Sequence, residues 1–161
     1  PKNILEIGTC IGYSALTMLD AAEDDCRLTT VECDEDILAV ARANFEKCGL
    51  SGRISSFLGD SSEILPLMSG SFDFIFMDAA KGQYINFLPD CMRLLKTGGI
   101  LVSDNVLQDG DIIKSRFAVT RRNRTIHKRM REYLYELTHR EDLVTAVLPI
   151  GDGITVSTKI K

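Results

Sequence analysis

The chain has 161 residues, 45% hydrophobic and 26% charged, the balance of one soluble globular domain with one sizeable core rather than a disordered or fibrous chain. No run approaches the roughly 20 apolar residues that cross a bilayer, and no charged start with an apolar stretch marks a signal peptide, so a cytoplasmic protein with no membrane contact is expected. The net charge of −4 conceals a split: eight of the 19 Lys and Arg lie between Lys114 and Arg131, a segment without acids, which fits either a local anionic partner or a solvated helix face.

Asn3 to Ile7 is an apolar run that ends in Gly8 and reads as a strand. Tyr13 to Ala22 has the period of a helix, and Leu28 to Val31, ending at Glu32, reads as the second strand. A second helix is predicted over Asp36 to Cys48, with Asp34 as its cap and Ile37, Ala41 and Phe45 on its apolar stripe. Strands follow at Ile54 to Leu58, Phe72 to Met77 and Ile100 to Val102; they end at Gly59-Asp60, Asp78 and Ser103-Asp104. Between the last two, Tyr84 to Leu95 is helical, and Gly98-Gly99 is expected to stop it. This alternation predicts a parallel sheet covered by helices on both faces. It then breaks. Ile126, Met130, Leu134 and Leu137 predict a long helix from about Thr125 to Thr138, and Leu143 to Ile150 with Ile154 to Ile160 flank Gly151-Asp152-Gly153 as a hairpin. Cys10, Cys26, Cys33, Cys48 and Cys91 are irregularly spaced with no CxxC pair, so they read as reduced thiols.

Ligands of an open α/β sheet sit at the carboxyl ends of its strands. Gly8 and Gly12 would let backbone amides approach a ligand where the first helix begins; a tight strand-to-helix turn explains the same pair. The spacing is not GxGxxG, which counts against a dinucleotide. Glu32, at the end of the second strand, can accept hydrogen bonds from two ribose hydroxyls, so the pair fits a nucleoside-containing cofactor. Asp78, Asp104 and Asn105 bring oxygen donors to neighbouring strand ends, a set that suits Mg²⁺ and leaves room for substrate oxygens. Taken singly, Asp78 reads as a helix cap, Asp104-Asn105 as a turn, and Lys81 as an exposed lysine.

Six ordered motifs carry a resemblance over nearly the whole chain: ILEIGTCIGYSAL from Ile4, VECDED from Val31, FLGDSSEILP from Phe57, DFIFMDAAKGQY from Asp73, GGILVSDNVL from Gly98 and LPIGDGITVSTK from Leu148. The sequence resembles the class I, S-adenosylmethionine-dependent, divalent-metal-dependent O-methyltransferases that include the catechol and caffeoyl-CoA enzymes. The resemblance implies a Rossmann-like, mostly parallel seven-stranded sheet whose C-terminal hairpin supplies the last two strands, all in one methyltransferase domain over residues 1–161. It implies that Glu6, Gly8 and Ser14 hold the methionine part of the cofactor, Glu32 its ribose, and Cys33, Asp60 and Ser61 the adenine surroundings, with Asp78 also against the cofactor. Asp78, Asp104 and Asn105 would bind Mg²⁺ or Mn²⁺. Lys81 would be the catalytic lysine beside Asp78, taking the proton of a hydroxyl that attacks the sulfonium methyl.

Two features depart from the family. Cys10 stands where relatives often carry an aromatic residue. The chain also starts at Pro1-Lys2, directly before the first strand, and is expected to be truncated, without the N-terminal helices that help form the family's substrate pocket and homodimer. Within the family, Asn105 through Arg131 looks most like the bacterial branch that methylates 5-hydroxyuridine at the tRNA wobble position. Lys114, Arg116, Arg121, Arg122, Arg124, Lys128, Arg129 and Arg131 would then contact RNA phosphates, with His127 a phosphate contact or surface residue. A small catechol-like phenol is the alternative acceptor, since both offer two adjacent oxygens to a metal. A nicotinamide-dependent oxidoreductase and an RNA-binding module without catalysis are disfavoured by the missing GxGxxG and by the intact Asp78, Lys81, Asp104 and Asn105.

Overall fold

The computed structural model describes all residues except Asp109 and Arg116. Its elements are β1 (Asn3–Ile7), α1 (Tyr13–Asp20), β2 (Arg27–Glu32), α2 (Glu35–Lys47), β3 (Ile54–Leu58), α3 (Ser61–Leu67), β4 (Phe72–Met77), α4 (Tyr84–Leu94), β5 (Leu95–Ser103), α5 (Arg124–His139), β6 (Leu143–Leu148) and β7 (Ile154–Lys159). The strands form one seven-stranded sheet in the order β3-β2-β1-β4-β5-β7-β6. Pairs among β1 to β5 are parallel, while β7 pairs antiparallel with both β5 and β6. The order reverses between β1 and β4, so a crevice opens past their carboxyl ends.

Alternation along the central strands divides the core in two. On one face Leu5, Ile75, Met77 and Leu101 pack with Tyr84 and Leu88 of α4 and Met130, Tyr133 and Leu137 of α5. On the other, Ile4 and Leu28 meet Ala15 and Leu19 of α1 and Leu38, Ala41 and Phe45 of α2. Among the described residues the five cysteines are unpaired, and no helix is long and apolar enough to cross a membrane.

Three sequence expectations are corrected, and one element had none. The buried stripe of α2 runs through Leu38 rather than Ile37, which is 37% exposed. At about 100° per residue, Leu38 lies about 40° from the line midway between Ala41 and Phe45, against about 60° for Ile37. Gly98-Gly99 does not stop a helix: α4 already ends at Leu94, and the glycines lie inside β5, where the register jumps from Phe72–Leu95 to Phe74–Ile100. A Cβ on Gly99 would crowd Leu95 and the Lys96 carbonyl, so the bulge requires glycine there. The short helix α3 has no sequence forecast; with Pro66 inside it and only Leu65 buried, no helical stripe is visible. The hairpin strands are shorter than expected, β6 ending before Pro149, which has no N–H for a ladder.

Candidate active site

The loop after β1 is shaped by two close approaches. Gly8 has φ of 100°, and a Cβ there would run into the Asp78 carbonyl oxygen; Gly12 has φ of 85°, and its Cβ would run into the Phe45 ring. Both positions therefore need glycine. Beneath the loop Glu6 is 0% exposed. Ser14 Oγ donates to its Oε1 at 2.5 Å and Thr30 Oγ1 to its Oε2 at 2.6 Å, while Thr9 Oγ1 lies 2.6 Å from Thr30 Oγ1. Burial raises the Glu6 carboxyl to about 7; the two hydroxyls pull it down, and the charges of Asp78 and Glu32 add to the rise.

A cavity of about 300 Å³ gathers Gly8, Glu32, Cys33, Asp60, Ser61 and Asp78, six of the residues expected around the cofactor, from the ends of four elements. Glu6 and Ser14 are not in its wall: Glu6 lies under the loop, and Ser14 faces the neighbouring cavity. Gln83 and Phe87, at the start of α4, also line it. Their order in the sequence gave no sign of this, because only the β1–β4 pairing brings α4 to the loop. Glu32 is oriented by the backbone: Oε2 accepts from the Cys10 amide at 2.9 Å, and Oε1 from the Cys33 and Asp34 amides at 2.9 and 3.1 Å. The Cys33 thiol adds a contact to Oε1 at 3.5 Å, so the acceptor position left for a hydroxyl donor is the second one on Oε2. Asp60 caps α3, taking the Ser62 amide and hydroxyl at 2.7 Å each, which holds its carboxyl below the usual range. Burial and the neighbouring Glu32 push the Cys33 thiol up, so it stays protonated.

Asp78 lines this cavity and also a second one of about 540 Å³, shared with Ser14, Asp104 and the apolar side chains Phe74, Phe76 and Val102. The backbone fixes the two carboxylates: the Asp78 amide donates to the Ile7 carbonyl and the Asp104 amide to the Met77 carbonyl, both at 3.0 Å. The buried Tyr84 hydroxyl lies 3.1 Å from the Asp104 carbonyl and 3.3 Å from that of Met77, bridging the ends of β4 and β5. Asn105 takes φ of 55°, and its amide donates to Asp104 Oδ1 at 2.6 Å. The next two amides, of Val106 and Leu107, donate to Gly153 and Asp152. The hairpin turn thus anchors the Asp104-Asn105 loop.

Burial raises the Asp78 carboxyl, Asp104 adds to the rise, and Lys81 opposes it. Among the described residues no hydrogen bond reaches the Asp78 carboxylate, and no group of three or more His, Cys, Asp or Glu gathers as a metal cluster. Two mutually repelling carboxylates with an amide beside them nevertheless fit a hard divalent cation, with Asn105 as third donor and water or substrate completing the shell.

The basic segment is mostly engaged. Lys114 pairs with Asp111 at 2.7 Å and Lys128 with Glu132 at 3.5 Å. Arg124, Arg129 and Arg131 donate to the carbonyls of Val119, Gly82 and Ile112. Arg121 and Arg122 are exposed in a 3-10 turn before α5, and Arg116 lies outside the described residues. His127 corrects its expected surface position: it is 2% exposed because it lies on the inner side of α5, and among the described residues its Nε2 has no hydrogen-bond partner.

An O-methyltransferase family model matches residues 1–160. The chain belongs to that family. It is 39% identical over 116 residues to a catechol O-methyltransferase of Niastella koreensis, covering 70% of this chain and 52% of the relative. It is 32% identical over 169 residues to a caffeoyl-CoA O-methyltransferase of Stellaria longipes, covering 99% and 69%. The chain thus spans about half of the first relative and about two thirds of the second. Among solved structures, a putative caffeoyl-CoA O-methyltransferase from Staphylococcus aureus superposes with a TM-score of 0.89 at 33% identity, covering 98% of this chain and 76% of the other. An S-adenosylhomocysteine-bound methyltransferase from Podospora anserina gives 0.87 at 28% identity, covering 99% and 72%. By family and fold, this is an O-methyltransferase-family domain.

Proposed function

We propose that the chain methylates one hydroxyl of a small catechol-like phenol, using S-adenosylmethionine and a divalent cation. The observation that carries this reading is that one carboxylate, Asp78, lines both the cavity holding Glu32 and Gly8 and the cavity holding Asp104. Methyl donor and acceptor would meet there. Phe74, Phe76 and Val102 on the acceptor side suit an aromatic ring.

When bound, the cofactor supplies a methyl on a positively charged sulfur, and the cation supplies the charge that lowers a hydroxyl pKa. The chain's residues do the positioning. Glu32 accepts the ribose hydroxyls, the Gly8–Gly12 loop approaches the cofactor backbone-first, and Asp78, Asp104 and Asn105 hold the cation. Lys81 Nζ takes the hydroxyl proton. Orienting the two reactants together accounts for several of the roughly 7 to 11 kcal/mol that positioning can supply.

The test incubates full-length protein with labelled cofactor and catechol, before and after exhaustive chelation. Methylated catechol should form, vanish on chelation and return with Mg²⁺ or Mn²⁺. Asp104→Ala should lose most turnover yet keep its affinity for S-adenosylhomocysteine. Full turnover after chelation removes the cation from the reading, and failure to methylate any ortho-dihydroxy phenol removes the acceptor class. A second reading, a hydroxylated tRNA uridine as acceptor, is favoured by Arg121 and Arg122, which are exposed before α5.

A further inference from the structure

We propose that Arg129 is a positioning residue for Lys81, so that part of the basic segment serves proton transfer rather than a polyanion. The inference rests on the reading that Lys81 takes the hydroxyl proton. Lys81–Gln83 form a single 3-10 turn between β4 and α4, closed by the Gln83 amide donating to the Ala80 carbonyl at 2.8 Å. The turn leaves β4 beyond Asp78, and it re-enters the fold at Tyr84, whose hydroxyl is locked between the ends of β4 and β5.

Between these fixed ends, Arg129 reaches across from α5. Its Nη1 donates to the Gly82 carbonyl at 3.1 Å, joining residues 47 positions apart. Gly82 presents its bare side to the same helix: a Cβ there would lie 3.7 Å from Ile126 Cγ1 and 3.9 Å from Arg129 Nη1, ordinary contact distances. The backbone of the turn therefore rests on α5 one residue after Lys81. A charged donor to a carbonyl makes one of the stronger hydrogen bonds, and this one constrains the Gly82–Gln83 peptide, the second peptide after the Lys81 Cα. Arg129 touches neither cavity wall described above, so its effect on chemistry passes through the turn.

The experiment compares wild type, Arg129→Met and Arg129→Lys in the full-length protein by three readouts: kcat and KM for catechol, affinity for S-adenosylhomocysteine, and hydrogen exchange at the Gln83 amide. Arg129→Met should lower kcat by about tenfold or more, because small misplacements of a reacting group are costly. It should leave KM and cofactor affinity within about twofold and accelerate Gln83 exchange. Arg129→Lys, which retains a charged donor group, should recover part of both losses. Unchanged kcat and unchanged exchange in Arg129→Met overturn the proposal. So does a rise in KM with kcat and exchange intact, which makes Arg129 a binding residue. If wild type does not methylate catechol, the functional reading fails by itself, and the exchange contrast still decides whether Arg129 holds the turn.

Discussion

Glu6 shows what a single buried acid contributes. Its carboxyl is raised to about 7, chiefly by burial, against an ordinary value of 4.5 in the unfolded chain. Between those two values the folded state retains a proton that the unfolded state has released, so stability falls as pH rises from about 4.5 to about 7. The full swing is about 3 kcal/mol at most. Glu6→Gln keeps an oxygen to accept from a hydroxyl but cannot ionise, so it should lack this slope. Denaturant unfolding at pH 5 and pH 7.5 checks it: the variant should gain on wild type at the higher pH, and a pH-independent difference would mean that Glu6 titrates as an ordinary carboxylate. Asp73 works in the opposite sense. Burial pushes its carboxyl up, but Lys96 and the Asn3 and Lys2 amides outweigh this and hold it at about 2, so its contribution is lost only as pH falls below the usual carboxylate range. The family motif around Ile4 makes Glu6 legible as a candidate. Its partner Thr30 is not, because the β1–β2 register that places it is a tertiary fact.

At the scale of elements, strands ended by acids or glycines were readable from composition and period, and β1, β3 and β4 have the expected bounds. What period alone could not supply was the fastening of the elements around the site. Tyr84 reads in the sequence as the first residue of a helix. In the fold it is buried, packs edge-on against Tyr133 at 5.5 Å and bridges two strand ends, while Tyr133 pairs with Ser103, next to Asp104. Burial raises the Tyr84 hydroxyl far above its ordinary value, so it remains a donor throughout the stable pH range. Tyr84→Phe should cost about 1 to 2 kcal/mol, the range for removing a buried hydrogen-bond partner. By loosening the Asp104 backbone it should also weaken Mn²⁺ affinity severalfold, with S-adenosylhomocysteine affinity nearly unchanged. Calorimetric titration with each ligand, beside a denaturation curve, measures all three. Equal Mn²⁺ affinity in variant and wild type would show that Asp104 does not depend on the bridge.

For the whole molecule, the alternation of elements and the terminal hairpin foretold the sheet, and its switch point foretold where the two cavities beside Asp78 open. The charge split foretold less, because a sequence displays the sign of a side chain without its partner. Among the described basic residues from Lys114 to Arg131, Lys114, Arg121, Arg122, Lys128 and Arg131 are exposed; Lys114 and Lys128 pair with acids and Arg124, Arg129 and Arg131 reach backbone carbonyls, whereas Arg121 and Arg122 make neither contact. A polyanion that binds through this face should therefore depend on those two arginines more than on the rest. If tRNA is an acceptor, its log affinity should fall with log salt at about −0.7 per phosphate neutralised in single-stranded regions, and Arg121→Ala with Arg122→Ala should flatten the slope by about 1.4. Catechol turnover should be nearly indifferent to both salt and the double substitution, since that acceptor carries no phosphate. Filter binding of tRNA across a salt series, with catechol turnover measured on the same preparations, separates the two acceptors. A wild-type salt slope near zero would leave the two arginines as a solvated surface, and the small phenol as the acceptor that the cavity beside Asp104 takes.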